Sequence, residues 1–313
     1  MESLFIKGLM GEERESLSSQ LGLWHHLTLR NILQRKFTGW IAKDDHLGNF
    51  LHDKAQMASK SDMLSLKLWK LNEIMRFLNI PQPEKFEPNS LNAVGMEIEV
   101  QATALLRRID KDFRGTSPDD MVRHLLIKII ENLSEDLKQK DIKTQDEIIQ
   151  KVLEILEAMP EDQQKALKRL LSVEKFTSDI IRTAIFDHSL STALASFMLM
   201  VKYTIYYEIA KIALVLSGAL TLYVAKPYVR PLLPLIFFIF SPFGVAAIGL
   251  GLTWWTDFYT NRQIQSFLLP VMVMSSILAS VEATKEVNNL QKSQRIELFI
   301  DFYNNQGYNN RIV

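Results

Sequence analysis

The sequence contains no cysteine, and this absence excludes several kinds of chemistry at once. Without cysteine there is no disulfide, no thiolate nucleophile and no cysteine-ligated zinc, which fits a reducing compartment. Glycine and proline are also few, with 12 and 10 residues in a chain of 313. No stretch alternates apolar and polar residues as a half-buried strand would. The sequence therefore predicts an all-helical protein.

The sequence also lacks an excess of positive or negative charge. Lysine and arginine together number 36, as do aspartate and glutamate, so the formal net charge is zero. A basic surplus is the electrostatic signature of nucleic-acid binding, so the composition gives no reason to expect a nucleic-acid partner. The charges are unevenly placed, however, because residues 1–180 are densely charged and only a few charges lie between Ser189 and Val281.

This shift in composition divides the chain into four predicted regions. Residues 1–80 form an N-terminal helical region and residues 81–185 a charged helical bundle. Residues 186–284 form hydrophobic, membrane-associated helices, and residues 285–313 an amphipathic helix and tail. The predicted fold class is thus all-α, a helical bundle followed by a hydrophobic helical hairpin domain.

Helix boundaries are clearest in the charged half. Ser61 and Asp62 can cap a helix over Met63–Leu78, whose leucines share one face. Pro118, followed by two acids, predicts the start of a helix that runs to about Gln139. Thr144 with Glu147 fits a capping box. The polar segment 43–49 predicts a loop.

The longest hydrophobic run is Pro231–Thr256, which contains no charged side chain. As a helix, its roughly 26 residues would measure about 39 Å, longer than the bilayer core of about 30 Å. Pro234 and the segment Ser241–Gly244 interrupt it, because proline removes a backbone donor and clashes with the preceding turn. The run is therefore either one kinked span or a hairpin of two half-length helices.

Three shorter apolar segments accompany this run, over residues 189–201, 212–225 and 263–281. Four spans would place both chain ends on one side, and Lys226 and Arg230 would put that side in the cytoplasm. Three arrangements remain open. The segments span the membrane, they are buried helices of a soluble bundle, or a helical domain shields the hairpin until a trigger inserts it.

The candidate site residues follow from this pattern. Lys202, Glu208 and Lys211 interrupt apolar sequence, so they either line a membrane interior or sit at segment ends with their charges in water. The predicted membrane-insertion residues are the large apolar side chains and the helix-breaking or close-packing positions of the long run. They are Leu235, Phe237, Phe238, Phe240, Pro242, Gly244, Gly249, Leu250, Gly251, Trp254 and Trp255.

No motif predicts catalysis, a metal or a cofactor. His46 and His52 are six positions apart, whereas two zinc ligands on one helix face need three or four. Asp187, His188 and Ser189 are adjacent, so their side chains point in different directions and do not predict a triad. The glycine-bearing segment 244–252 lacks a P-loop lysine. We therefore expect a protein that is not an enzyme and needs no cofactor.

One further acidic group has two interpretations. Glu97, Glu99 and Asp110 belong to one predicted helix. They either face inward as a set or are solvated surface charges, and surface charges are the commoner outcome.

Four segments of the sequence resemble a known family in their order. They are VGMEIEVQATALLRRI, MPEDQQKALKRLL, FGVAAIGLGL and RQIQSFLLPVMVM, between Val94 and Ile277. In this order the chain resembles the YaaW-like family of uncharacterised bacterial proteins, over somewhat more than half its length. A longer apolar insertion at 231–240 departs from the pattern. The resemblance implies a bacterial protein without assigned catalytic residues, related to assembly factors of respiratory complexes.

These features predict a protein of the bacterial inner membrane, with its soluble domain in the cytoplasm. The leading hypothesis is that this domain controls a hydrophobic domain that inserts into or permeabilises the lipid bilayer. Pore-forming colicins have a comparable order of parts, which is an analogy of architecture. The alternative is a constitutive inner-membrane adaptor or assembly factor that binds a protein partner through residues 90–180. Self-association is compatible with both.

Overall fold

The computed structural model describes residues 2–28, 46–201, 205–216, 257–286 and 289–305. These residues form thirteen α-helices and contain no strand, which confirms the predicted all-α class. The helices are α1 (Leu4–Gly11), α2 (Arg14–His26), α3 (His46–Ala58), α4 (Met63–Leu78), α5 (Pro88–Ile109), α6 (Pro118–Lys138), α7 (Ile142–Glu157), α8 (Glu161–Leu170), α9 (Ser178–Phe186), α10 (Ser189–Val201), α11 (Tyr206–Leu216), α12 (Asp257–Glu286) and α13 (Asn289–Asn305).

Local capping chemistry explains where most of these helices begin and end. The Asp62 carboxylate accepts a hydrogen bond from the Ser65 amide at 2.9 Å, as predicted for the start of α4. Asn79 ends α4 in the left-handed conformation, which asparagine tolerates better than most residues. The helix predicted from Pro118 is present and ends at Lys138.

Two predicted boundaries are wrong. The N-cap of α7 is Asp141, whose carboxylate accepts from the backbone and hydroxyl of Thr144 at 3.0 and 2.7 Å. Aspartate caps at least as well as threonine, so the helix starts one turn earlier than predicted. Residues 46–49 are helical rather than part of a loop, because α3 packs along α2 and buries Ala55 there.

The described helices belong to two compact units. Unit 1 combines residues 1–118 with residues 253–313, and unit 2 comprises residues 119–252. The two units are defined by contacts between helices, whereas the four predicted regions are defined by the composition of successive stretches of sequence. As a result, the last apolar segment of the sequence lies in the same unit as the N-terminal helices.

The central helix of unit 1 is α12, which packs against α1, α2 and α5. Its contact with α1 is very close, because a Cβ atom on Gly8 would overlap the carbonyl oxygen of Ser276. Gly95 of α5 allows a similar approach to Ile6 of α1. Glycine is needed at both positions because backbone and side chain of the facing helix occupy the space of any larger residue.

Unit 2 contains the helices α6–α11. Within it, α7 packs against α9 and α11, and α10 packs against α8 and α9. The first predicted apolar segment coincides with α10, which buries Leu190, Leu194 and Phe197. The second begins inside α11, and its remainder lies beyond the described residues.

Among the described residues, one helix is long and apolar enough to cross a membrane. It covers Asn261–Ser280 of α12, with a mean hydropathy of 1.4, and 61% of that segment is buried inside the protein. A second candidate is the pair α9 and α10, which would count only as a broken span because its halves meet at 89°. The core helix of a soluble protein can be equally long and apolar. The contacts of α12 therefore distinguish a membrane span from a core helix.

Candidate functional site

Four helices of unit 1 meet at a buried ion-pair cluster, defined by Glu12, Gln20, Lys70 and Ser276. Glu12 lies at the end of α1, and the other three lie in α2, α4 and α12. None of the four is more than 4% exposed. Charges are almost never buried this deeply unless they are paired, so the contacts of the cluster are central to unit 1.

The centre of the cluster is a three-way contact. The Lys70 Nζ atom donates to Glu12 Oε1 at 2.6 Å and to Ser276 Oγ at 2.8 Å. The Ser276 hydroxyl in turn donates to the same Glu12 oxygen at 2.6 Å. Lys70 also contacts the carbonyl oxygen of Met272 at 3.3 Å. The cluster therefore joins α1 and α4 to two successive turns of α12.

Gln20 extends the cluster to α2. Its Nε2 atom donates to Ser16 at 2.9 Å and Ser275 at 3.0 Å, and approaches Glu12 Oε2 at 3.4 Å. Its amide oxygen is buried and finds no hydrogen-bond partner within the described part of the chain. An unsatisfied buried carbonyl costs about 1–3 kcal/mol, so the cluster is held together at some expense to stability.

Lys67 lies one turn before Lys70 and donates to the carbonyl oxygen of Met10 at 2.6 Å. Burial lowers the pKa of Lys67 to about 8, helped by the nearby charge of Arg295 and opposed by Glu12. Burial also lowers the pKa of Lys70, against the opposing effect of Glu12. Glu12, Lys67 and Lys70 can exchange protons, but all three are buried. They therefore hold helices together rather than contact a substrate.

A second buried carboxylate holds the beginning of α1. Glu99 Oε1 accepts from the Ser3 hydroxyl and from the Phe5 amide, both at 2.7 Å. Of the predicted acidic set, Glu99 and Asp110 are buried and Glu97 is exposed. The inward-facing interpretation is thus correct for two of the three residues, and Glu99 serves to anchor a helix.

The predicted membrane residues have different outcomes. Glu208 and Lys211 form an ion pair of 3.0 Å within α11, and their side chains are 20% and 41% exposed. Lys202 and the predicted insertion residues from Leu235 to Trp255 lie outside the described residues. The membrane depth of all these side chains stays a prediction.

The sequence did not predict the buried ion-pair cluster. Its local signal is Lys70, a charge among the leucines of the helix Met63–Leu78. The pairing itself joins residues that are far apart in sequence, since Ser276 follows Glu12 by 264 positions. No periodicity or spacing rule relates residues at that separation.

We identify no catalytic centre among the described residues. The described residues hold no group of three or more side chains that could bind a metal ion. No family model matches the sequence, and searches of curated proteins and of solved structures find no match. The resemblance to the YaaW-like family therefore stays a prediction.

Proposed function

We propose that this is a non-enzymatic, membrane-acting protein whose helical units control the insertion of the apolar run Pro231–Thr256 into the bacterial inner membrane. The observation that carries the proposal is the packing of α1 against α12 in unit 1. These helices stand on opposite sides of that segment in the sequence. The apolar run Pro231–Thr256 is the part of the chain best suited to lipid.

The packing constrains how such a segment enters the membrane. Unit 1 contains chain from before the segment and chain from after it, so both would lie on one side of the bilayer when the segment is inserted. An inserted segment must then return to the side from which it came. The breaks at Pro234 and Ser241–Gly244 suit a hairpin, because proline ends a helical half and glycine permits a tight turn.

The contacts of α12 support its role as the core of unit 1 rather than as a span. Ser276 and Met272 of α12 contact the charged Lys70, and Gly8 of α1 packs directly on the Ser276 carbonyl. Moving α12 into lipid would either leave the buried Lys70 and Glu12 without Ser276 or carry them along. Both are costly, because ionised groups are disfavoured in hydrocarbon.

Fractionation of the expressed protein tests the proposal. We expect the protein to stay in the membrane during extraction with alkaline carbonate and to be released by detergent. Release by carbonate alone, with no retained fraction, contradicts insertion at rest. If expression collapses the membrane potential, the segment also permeabilises the bilayer, and an unchanged potential restricts it to anchoring.

A matched pair of substitutions separates insertion from general destabilisation. Leu250→Arg places a charge in the apolar run and should convert membrane retention into carbonate release. Ile142→Arg is the control, because Ile142 is 73% exposed in unit 2 and lies outside the apolar segments. Equal loss of retention in both variants contradicts a specific role of the run.

The second candidate, an inner-membrane adaptor, is favoured by one observation. Met96 and Val100 lie one turn apart on α5 and are 38% and 63% exposed, although both are apolar. An adaptor would lose a co-purifying protein on Val100→Glu while keeping its membrane retention. A partner that is unaffected by this variant counts against docking through α5.

A further inference from the structure

We propose that unit 1 contains a binding pocket for an amphipathic oxyanion, a carboxylate or phosphate group attached to an apolar body. The pocket is a cavity of about 420 Å³, within the range of small-molecule sites, which is about 300–1,000 Å³. Its lining comprises two aromatic residues, three amides, two arginines and one carboxylate. They are Trp24, Glu73, Arg76, Phe77, Asn79, Asn261, Arg262 and Gln265.

Three helices supply these residues, and their contacts fix the pocket wall. Trp24 of α2 donates its indole N–H to Glu73 Oε2 of α4 at 2.9 Å. Gln265 of α12 approaches the Trp24 carbonyl oxygen with its Nε2 atom at 3.4 Å. Trp24 and Phe77 pack edge to face, with ring centroids 5.3 Å apart. The aromatic side of the pocket is therefore preorganised.

The charges of the pocket leave one cation available. The Arg76 guanidinium donates to both oxygens of Glu73, at 2.7 and 2.6 Å, so these two charges neutralise each other. Arg262 forms no ion pair with the described residues, and its guanidinium carbon lies 5.7 Å from the Phe77 ring centroid. Arg262 thus presents a positive charge beside an aromatic face.

This combination selects the ligand class. Guanidinium groups bind carboxylate and phosphate oxygens through paired N–H donors, and polar amide side chains line the same pocket. The apolar body would lie against Trp24 and Phe77. A metal cation is disfavoured, because the one carboxylate of the pocket is already bound by Arg76 and Trp24.

Such a ligand has two sources, a soluble anion or a lipid headgroup, and one experiment distinguishes them. Equilibrium dialysis measures binding of phenyl phosphate to the full chain in an uncharged detergent, with inorganic phosphate as the probe that lacks an apolar body. We expect phenyl phosphate to bind more tightly than inorganic phosphate. Displacement by micelles that contain phosphatidic acid, but not by micelles of phosphatidylcholine, identifies a lipid source. Failure of phosphatidic acid to displace it identifies a soluble one.

Substitutions at Arg262 test the site itself. Arg262→Gln should weaken phenyl phosphate binding by about tenfold or more, because a charge-assisted contact is lost, and Arg262→Lys should weaken it less. Arg108→Gln is the control, since Arg108 is an exposed arginine of unit 1 outside the pocket. The proposal is overturned if phenyl phosphate does not bind, if inorganic phosphate binds equally well, or if Arg262→Gln binds as the unchanged protein does. None of these results depends on membrane insertion.

Discussion

Lys70 and Glu12 carry opposite charges that water does not reach. Their mutual attraction has to offset the cost of removing both from water, so such a pair adds little stability over a well-packed apolar pair. Removing one member is different, because the other stays buried without its partner. The pair therefore contributes mainly to the position of α12, which contacts Lys70 through Ser276 and Met272.

For these two residues we predict that a single substitution lowers the free energy of unfolding much more than the double substitution does. Lys70→Met alone should lower the free energy of unfolding of unit 1 by about 3–5 kcal/mol. Lys70→Met combined with Glu12→Leu should recover most of that loss. Urea unfolding of the single and double variants measures both values.

A surface pair provides the control for this comparison. Lys165 and Glu161 are 3.4 Å apart, and their side chains are 69% and 88% exposed. Lys165→Met should change stability by no more than about 1 kcal/mol. If the double substitution at Lys70 and Glu12 is as destabilising as Lys70→Met alone, the recovery predicted from desolvation is wrong.

Lys67 makes the stability of unit 1 dependent on pH. Its pKa is about 8 in the folded chain and about 10.5 when unfolded, so between these values the unfolded state binds more protons. Stability should be constant with pH below about 8 and rise toward pH 10.5, by up to about 3 kcal/mol. Lys70 acts in the same direction.

Urea unfolding at a series of alkaline pH values measures this dependence. Lys67→Met removes the group and should reduce the rise, leaving the contribution of Lys70. An equal rise in the unchanged protein and in Lys67→Met would show that Lys67 is not the cause.

At the scale of helices, two glycines of unit 1 allow a matched test of close packing. A Cβ on Gly8 would overlap the Ser276 carbonyl oxygen, whereas a Cβ on Gly22 would lie 3.2 Å from the Ala55 backbone nitrogen. Gly8→Ala should destabilise unit 1 by about 1–3 kcal/mol, because two helix backbones must separate. Gly22→Ala should stay within about 1 kcal/mol, since the gain in helix propensity offsets a slight displacement.

Thermal unfolding followed by circular dichroism compares the two variants. Similar melting temperatures for Gly8→Ala and Gly22→Ala would contradict the close contact of α1 with α12. A lower melting temperature of Gly8→Ala alone would support it.

The helices themselves were largely predictable, because their signals are local. Asp62 and Thr177 cap the helices that follow them, and both act through a backbone N–H three residues later. The cap predicted at Thr144 is wrong because Asp141, three residues earlier, competes for the same helix start. Local sequence therefore predicts where helices lie, but it does not reliably predict which of two nearby residues is the N-cap.

The placement of α12 was not predictable in the same way. Its apolar sequence suits a bilayer and a protein core equally, and composition does not distinguish them. The decision depends on Gly8, Glu12 and Lys70, which lie far away in the sequence. The candidate pocket is not predictable for the same reason, since its residues come from three separate helices and the residue that ends one of them.

At the scale of the whole molecule, the absence of cysteine makes membrane topology directly measurable. Single cysteines in place of Ala93 and Gln294, both exposed in unit 1, lie on either side of the apolar run in the sequence. A maleimide that cannot cross membranes should label both from the same side, because unit 1 joins the two parts of the chain.

Intact cells and inverted inner-membrane vesicles supply the two sides for this measurement. We expect labelling of Ala93→Cys and Gln294→Cys in inverted vesicles and none in intact cells. A third variant, Ser241→Cys in the middle of the run, should react only after detergent is added if the run forms a hairpin within the bilayer. Labelling of Ala93→Cys and Gln294→Cys from opposite sides contradicts the proposed topology.

The contact between α1 and α12 can form only after nearly the whole chain has been synthesised. Glu12 and Ser276 are 264 positions apart, and ribosomes add about 5–20 residues per second. The first helix therefore waits about 13–53 s for its partner, and its apolar side chains, which are buried in the folded unit, stay uncovered during that time. During that interval the apolar run leaves the ribosome before α12 does. Under the proposed function, the run would therefore reach the bilayer before unit 1 closes.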